Sequence, residues 1–260
     1  MKRFRYLPDS LQERFQEHSL LKVISGLDNF DKDSVIRVAK AAGNGSADLL
    51  DVAADPELIH LAIKHSGLPV CVSAVDPSLF IESVRAGASI IEIGNFDSFY
   101  PKGRFFSAIE VLALAKETRQ LLPDVVLSVT VPHHLPLDQQ AHLALDLFHL
   151  DCDIIQTEGG TSSNPSHSGD LGLIEKAAPA LAATHSIAQA FAKEEIVLPI
   201  LTASGISAVT APLAIAAGGH GVGVGSCVNR LDDLVAMVAE VRRLRESLTS
   251  FSRHLSGKSF

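Results

Sequence analysis

GGHGVGVGSCVNR occupies residues 218–230, and within it Gly221, Gly223 and Gly225 alternate with Val222 and Val224. Period-two alternation marks a strand. Glycine inside a strand packs nothing of its own, so it marks a place where something else comes close. In a closed parallel barrel the division has a direct meaning. Val222 and Val224 face the surrounding helices, and the three glycines face the lumen and leave room there. The last strand of such a barrel neighbours the first, which carries Lys22, so the glycine face is expected to accommodate that lysine and a ligand above it. The dinucleotide fingerprint G-x-G-x-x-G does not fit. Its third position is Ser226, the string lies in the last unit, and no strand-ending acid follows about 20 residues on.

Working back from this strand, short β-branched runs alternate with helical stretches along the whole chain. The strand candidates are 20–26, 48–53, 69–74, 89–95, 125–131, 153–158, 198–204 and 220–226. The helical candidates are 31–42, 56–66, 78–86, 105–121, 138–149, 173–193, 207–217 and 231–248, the last with Leu234, Val235, Val238, Val241 and Leu244 to Leu248 on one face. Asp55-Pro56, Asp76-Pro77 and Ser207 read as helix starts. Ala42-Gly43, Ser66-Gly67, Ala86-Gly87 and Ala217-Gly218-Gly219 read as helix stops. Eight strand–helix units without a break in composition predict one α/β domain over 1–260. It is an eight-stranded parallel βα barrel of the TIM type with a short N-terminal helix, a core over about 20–248 and a polar, frayed tail at 249–260. A doubly wound open sheet is the alternative.

Composition narrows the partners. The 260 residues are 47% hydrophobic and 20% charged, and a net charge of -8 disfavours nucleic acid and anionic membrane surfaces. No apolar run approaches the roughly 20 residues of a membrane span. The opening MKRFRYLPDSLQERFQEHS has no apolar centre and includes Asp9, Glu13 and Glu17, so it reads as a helix rather than a targeting segment. Cys71, Cys152 and Cys227 stand singly without zinc-type spacing and read as reduced, structural thiols in a cytoplasmic compartment.

At the top of the last two strands stand TASGI (202–206) and GVGSCV (223–228), in the loops that often hold a phosphate in barrels. Glycine admits backbone N–H groups to an oxyanion and serine adds a hydroxyl, so Ser204, Gly205, Gly225 and Ser226 are the expected phosphate-binding set. Asp232 and Asp233 open the long final helix and repel an anion, which places the phosphate near Ser226 to Val228 instead. Two ordinary tight turns are the bland alternative.

Three charges fall within or at the ends of strands: Lys22, Glu92 and Glu158. Alternation sets Lys22 with Ile24, Glu92 with Ile90, and Glu158 with Gln156 on inner faces, and Asp51, Ser73, Thr130 and Thr202 are expected to join them near the top. Buried charges are paired or have shifted pKa values. The set Lys22, Glu92, Glu158 and Asp51 therefore suits proton transfer beside a carbonyl, Schiff-base chemistry at Lys22, or a structural ion-pair network.

Two long loops flank this set. TEGGTSSNPSHSG (157–169) is long enough for a lid, and NFDSFYPKGRFF (95–106) offers Lys102 and Arg104 to an anion. His133 and His134 are adjacent, point in different directions and have no H-x-x-x-H or C-x-x-C partner, so no metal site is expected. The remaining histidines at 60, 65, 142, 149 and 185 fall in helical stretches.

The strings GLDNFD (26–31), IEIGNFDSFY (91–100), IIQTEGGTSS (154–163) and TASGISAVTAPLAIAAGGHGVGVGSCVN (202–229) resemble the hypothetical chloroplast reading-frame proteins shared by cyanobacteria and red-algal plastids, over roughly residues 12–248. That resemblance implies a βα barrel in a cyanobacterial cytoplasm or plastid stroma. It implies no substrate and no catalytic residue. A weaker similarity to phosphate-binding synthases and epimerases, such as thiazole synthase and the aminosugar-phosphate epimerases, rests on the pairs Ser204-Gly205 and Gly225-Ser226.

The function these observations favour is an enzyme acting on a small phosphorylated metabolite, by isomerisation, epimerisation or aldol-type chemistry, without a cofactor. The alternatives are an FMN-binding barrel, whose flavin phosphate uses the same two loops, and a non-catalytic sensor or assembly protein. A homo-oligomer is compatible with each.

Overall fold

The computed structural model describes residues 3–160 and 163–256. Eight strands form inside the predicted runs: β1 (Leu20–Ile24), β2 (Leu49–Ala53), β3 (Val70–Ala74), β4 (Ile90–Ile93), β5 (Val126–Thr130), β6 (Ile154–Gln156), β7 (Ile200–Ala203) and β8 (Gly221–Val224). All are parallel, each pairs with the next, and β8 pairs with β1, which closes the barrel. The expected fold class is the observed one, and the open sheet is excluded.

Ten α-helices accompany the strands among the described residues: α1 (Asp9–Gln16), α2 (Lys32–Asn44), α3 (Pro56–Ser66), α4 (Leu79–Arg85), α5 (Ala108–Leu121), α6 (Leu137–His149), α7 (Gly169–Lys193), α8 (Ala211–Ala216), α9 (Ser226–Asn229) and α10 (Leu234–Ser256). Local signals explain their ends. Asp55 caps α3 by accepting from Glu57 N–H at 2.9 Å and Leu58 N–H at 3.0 Å, and Gly67 ends it with φ +67°. Ala42-Gly43 is not a stop. The Ser66 carbonyl stands where a Cβ of Gly43 would be, so that glycine marks the contact between α2 and α3, and the helix continues to Asn44. Along α10 the buried stripe is Met237, Val241, Leu244 and Leu248, while Val235, expected on that face, is 77% exposed. The helix runs on past residue 249 because no glycine or proline interrupts the sequence before Gly257.

Barrel layers follow from alternation along each strand. Val222 and Val224 pack outward in the apolar sheath beneath the helices, as the sequence predicts. At the amino end of the barrel Leu20, Leu49, Cys71, Ile90, Val126, Ile154 and Leu201 form an inner apolar layer. Phe4, Leu7, Leu11 and Phe15 of the N-terminal segment pack against this layer and plug this end of the barrel. The short opening helix therefore has a definite role as a stopper.

Beside the plug, the rings of His18 and His220 stack with centroids 4.1 Å apart. His220 Nδ1 accepts the Ile200 N–H at 3.3 Å, which requires an unprotonated nitrogen. Burial, with the neighbouring His18 second, pushes the His220 imidazole down to about 4. The fold thus favours the neutral ring, and the stability this contributes is complete above the ordinary value near 6.5 and is lost as pH falls toward 4. His220→Asn is expected to flatten the loss between pH 6.5 and 4 by at most about 3 kcal/mol, read from urea titrations at several pH values.

Candidate functional site

Above the apolar layer the lumen turns polar. Lys22 Nζ lies 2.9 Å from Asp51 Oδ2 and 2.8 Å from Glu92 Oε2, and all three side chains are 0% exposed. Ser73 Oγ donates to Asp51 Oδ2 at 2.7 Å, Ser128 Oγ to Glu92 Oε2 at 2.7 Å, and Gln156 Nε2 to Glu92 Oε1 at 2.7 Å and Thr130 Oγ1 at 3.3 Å. Burial opposes the Lys22 ammonium, yet Asp51 and Glu92 together hold its pKa above the ordinary lysine range. Burial raises Asp51 to about 6, with Glu92 adding to the rise against the pull of Lys22. Thr202, expected with this group, points the other way. Leu201 and Ala203 take the inner positions of β7, and Thr202 Oγ1 meets Thr184 Oγ1 of α7 at 2.8 Å.

A cavity of about 530 Å³ opens over this layer at the carboxyl end of the barrel. Gln156, Ile24 and Ala203 line it from the strands, and Ser25, Gly26, Asn95, Asp97, Ser98, Thr157, Glu158 and Gly160 line it from the loops after β1, β4 and β6. The loops after β7 and β8 contribute Ser204, Gly205, Ile206, Gly225, Ser226, Asn229 and Arg230, and α7 contributes Lys176. All four residues expected to bind phosphate therefore share one cavity. Of the four expected catalytic residues only Glu158 lines it; Lys22, Asp51 and Glu92 lie enclosed beneath.

The glycine strand opposes this floor. A Cβ at Gly223 would stand 2.9 Å from Ala203 Cβ, 3.0 Å from Ile24 Cδ1 and 3.5 Å from Gln156 Oε1. What comes close to the missing side chains is thus the cavity floor and not Lys22, although Lys22 and Gly223 are register partners.

The loops after β6 and β7 interlock. Gly205 has φ +76°, and a Cβ on Gly160 would run into the Gly205 backbone. Ser204, itself at φ +71°, accepts the Gly160 N–H at 2.8 Å and donates its hydroxyl to Asp97 Oδ2 at 2.6 Å. The 157–169 loop, expected as a lid, includes Thr161 and Ser162, which lie outside the described residues. Ser163 beyond them ties back to the carbonyls of Gly160 at 3.0 Å and Lys176 at 3.1 Å. Asp232 pairs with Arg37 at 3.2 Å, and Asp233 accepts the Ala236 N–H at 2.9 Å, so the start of α10 is already capped by acid.

Bonded to the β7 turn through Ser204 is a cluster that residue spacing alone does not expose. Glu158 Oε1 accepts from the Tyr100 hydroxyl and from His133 N–H at 3.2 Å, and it stands 3.4 Å from His133 Nδ1. Glu158 Oε2 accepts the Asp97 N–H at 3.2 Å. Asp97 Oδ1 is 3.6 Å from His133 Nδ1 and is buried without a hydrogen bond. Burial raises the Glu158 pKa above the ordinary carboxylate range, against the bonds from His133 and Tyr100 and with Asp97 adding to it. Burial lowers His133, but Glu158 and Asp97 bring it above the ordinary imidazole range. From the 95–106 loop Asn95, Asp97 and Ser98 line the cavity, and Tyr100 reaches Glu158. Arg104, expected to meet an anion, pairs with Glu110 at 2.8 Å and covers the Phe106 ring, and Lys102 stands 5.7 Å from the Phe99 ring centroid. His134 turns away from the cavity to the rings of Tyr100 and Phe105.

Among the described residues, two groups place metal-type donor atoms within 4.8 Å of one another: Asp97, His133 and Glu158, and Asp51, Cys71 and Glu92. In the second, the Lys22 ammonium fills the cationic position.

Residues 7–254 match the family described as "Protein of unknown function (DUF561)". The chain belongs to that family. Relatives of this DUF561 chain include "Uncharacterized protein ycf23" of Cyanophora paradoxa, 42% identical over 224 residues (86% of this chain, 90% of that one). The protein of the same description from Porphyra purpurea is 37% identical over 244 residues (94% and 90%). The resemblance carried by the four quoted strings is thereby borne out. Among solved structures, the DUF561 barrel is similar to (S)-3-O-geranylgeranylglyceryl phosphate synthase from Thermoplasma acidophilum in complex with sn-glycerol-1-phosphate. The TM-score is 0.60 at 14% identity, covering 94% of this chain and all of that one, a likeness of fold. No described helix is long and apolar enough to cross a membrane.

Proposed function

We propose that the protein is a barrel enzyme that holds a small phosphorylated metabolite and moves a proton on it. One observation carries this: a single cavity is lined by two serine–glycine turns, two cations and a buried carboxyl of raised pKa. Lys176 and Arg230 make no side-chain hydrogen bond or ion pair among the described residues, so both charges are free to meet a phosphate held by Gly205, Gly225 and Ser226. Ser204 acts differently. Its hydroxyl is committed to Asp97 and Gly160, so it ties the phosphate turn to the acidic wall. The solved neighbour bound to a glycerol phosphate supports the same use of the fold by analogy.

Glu158 is the proton carrier in this scheme. Its Oε1 is held by Tyr100 and His133, while Oε2 has one bond, at 3.2 Å, and keeps a lone pair for the ligand. Lys22 is less suited to an imine. Its ammonium is enclosed, kept protonated by two carboxylates and absent from the cavity lining. Among the described residues lining the cavity none has an aromatic ring to stack on a flavin. The compartment this reading assumes is the one the family resemblance implies, a plastid stroma or cyanobacterial cytoplasm.

The test is Ser226→Glu. Ser226 is exposed and its substitution leaves the barrel intact. A carboxylate there should weaken binding of inorganic phosphate or glycerol 3-phosphate on the order of 100-fold, measured by calorimetric titration. Unchanged affinity would remove the proposed anchor.

A further inference from the structure

Three carboxamides line the cavity, and each leaves one buried polar atom without a hydrogen bond: Asn95 Nδ2, Gln156 Oε1 and Asn229 Oδ1. Buried polar atoms are almost always paired, so these three amide orphans, with Asp97 Oδ1 as a fourth unbonded atom on the same lining, point to a partner the described residues do not supply.

Two of them cannot be relieved by turning the amide over. Gln156 is 1% exposed, and its Nε2 donates to Glu92 Oε1 at 2.7 Å. Half a turn would set Oε1 against that carboxylate, acceptor on acceptor. Asn229 Nδ2 donates to the Ile24 carbonyl at 2.9 Å and the Ser25 carbonyl at 3.4 Å, so its orientation is fixed in the same way. Gln156 Oε1 is thus held on the cavity floor beside Gly223, 3.5 Å from where a Cβ there would stand.

We infer that the occupant is polyhydroxylated: its hydroxyls donate to Gln156 Oε1 and Asn229 Oδ1, and one of its oxygens accepts from Asn95 Nδ2. This names the substrate class of the site proposed above and rests on the phosphate anchor there. A hydroxyl both donates and accepts, so one kind of group satisfies all three amides. An ammonium only donates, and an alkyl chain leaves all three unpaired. The enclosed ion triad gains a purpose from this. Asp51 holds Lys22, Lys22 holds Glu92, and Glu92 sets the direction of Gln156, which makes them positioning residues.

The experiment is calorimetric titration of the full-length protein with inorganic phosphate, propyl phosphate, aminoethyl phosphate, glycerol 3-phosphate and a pentose 5-phosphate. Glycerol 3-phosphate should bind at least about 10-fold tighter than propyl phosphate, and the pentose phosphate tighter again. The glycerol-to-propyl ratio should fall to about 1–3 in Gln156→Met and in Asn229→Leu. Thermal melts establish that each variant is folded, and the second substitution, which leaves the Glu92 network alone, carries the test if the first does not fold. Equal binding of propyl or aminoethyl phosphate and glycerol 3-phosphate, or a ratio that survives in a folded variant, overturns the inference while the phosphate anchor stands. Failure of every phosphate, inorganic phosphate included, overturns both.

Discussion

Replacing Lys22 with methionine is expected to lower the unfolding free energy by about 3–5 kcal/mol, read from the urea midpoint near neutral pH. The ammonium lies within 3 Å of two carboxylates that no water reaches, and its removal leaves both buried and uncompensated. The deficit should depend on pH with a definite sign. Asp51 has a folded-state pKa raised to about 6, above its ordinary value near 4, so its contribution is complete below 4 and is lost as pH rises through 6. Without the pull of Lys22 the carboxyl rises further, so the variant should recover ground relative to the parent as the buffer is acidified. The triple change Lys22→Met, Asp51→Asn, Glu92→Gln removes every charge in the layer and should restore more than half of the loss. A single-variant deficit below about 1 kcal/mol would mean that Lys22 reaches solvent.

The triad shows how far the sequence could be followed and where it stopped. A lysine in an apolar β-branched run and acids in two later ones must share a lumen once eight parallel strands close on themselves, so LLKVI, LLDVA and IIEI already imply Lys22 beside Asp51 and Glu92. Register and stagger carry no comparable signal in the residues. They decide that Lys22, Asp51 and Glu92 lie one layer too deep to line the cavity while Glu158, beyond the end of β6, reaches it. Thr202 departs from the expectation because alternation alone does not fix which residues of β7 face inward. Asp97, Tyr100, Lys176 and Arg230 lay hidden for a different reason. Loop and helix positions have no period to tie them to a lumen; Asp97 is tied in through Ser204, and Lys176 through the packing of its carbonyl against Gly205. The orphaned amides of Asn95, Gln156 and Asn229 become visible only through partners, and partners are a property of the fold.

Glu158→Gln should abolish turnover while sparing affinity. Solvent-deuterium incorporation into phosphorylated hydroxy-carbonyl compounds, followed by mass spectrometry, is expected to drop by about 10²–10⁴-fold, the range for loss of a positioned acid or base. Glutamine keeps the shape and can still accept from Tyr100 and the His133 N–H while giving up the 3.2 Å bond from the Asp97 N–H, so the pocket stays formed and ligand affinity should change only a few-fold. Burial holds the Glu158 carboxyl above its usual range, and its neighbour Asp97 reinforces this, so the acid limb of the parent's rate profile should lie above pH 4.5. Asp97→Asn removes that like charge and should move the limb toward acid; it also alters the partner of Ser204, so KM for the phosphorylated ligand should rise alongside. A structural role for Glu158 predicts otherwise: exchange and thermal stability would fall together in the glutamine variant, and the pH limb would not move with Asp97. Separation of rate from stability is therefore the result that assigns Glu158 to the chemistry, and their joint loss is the result that assigns it to the scaffold.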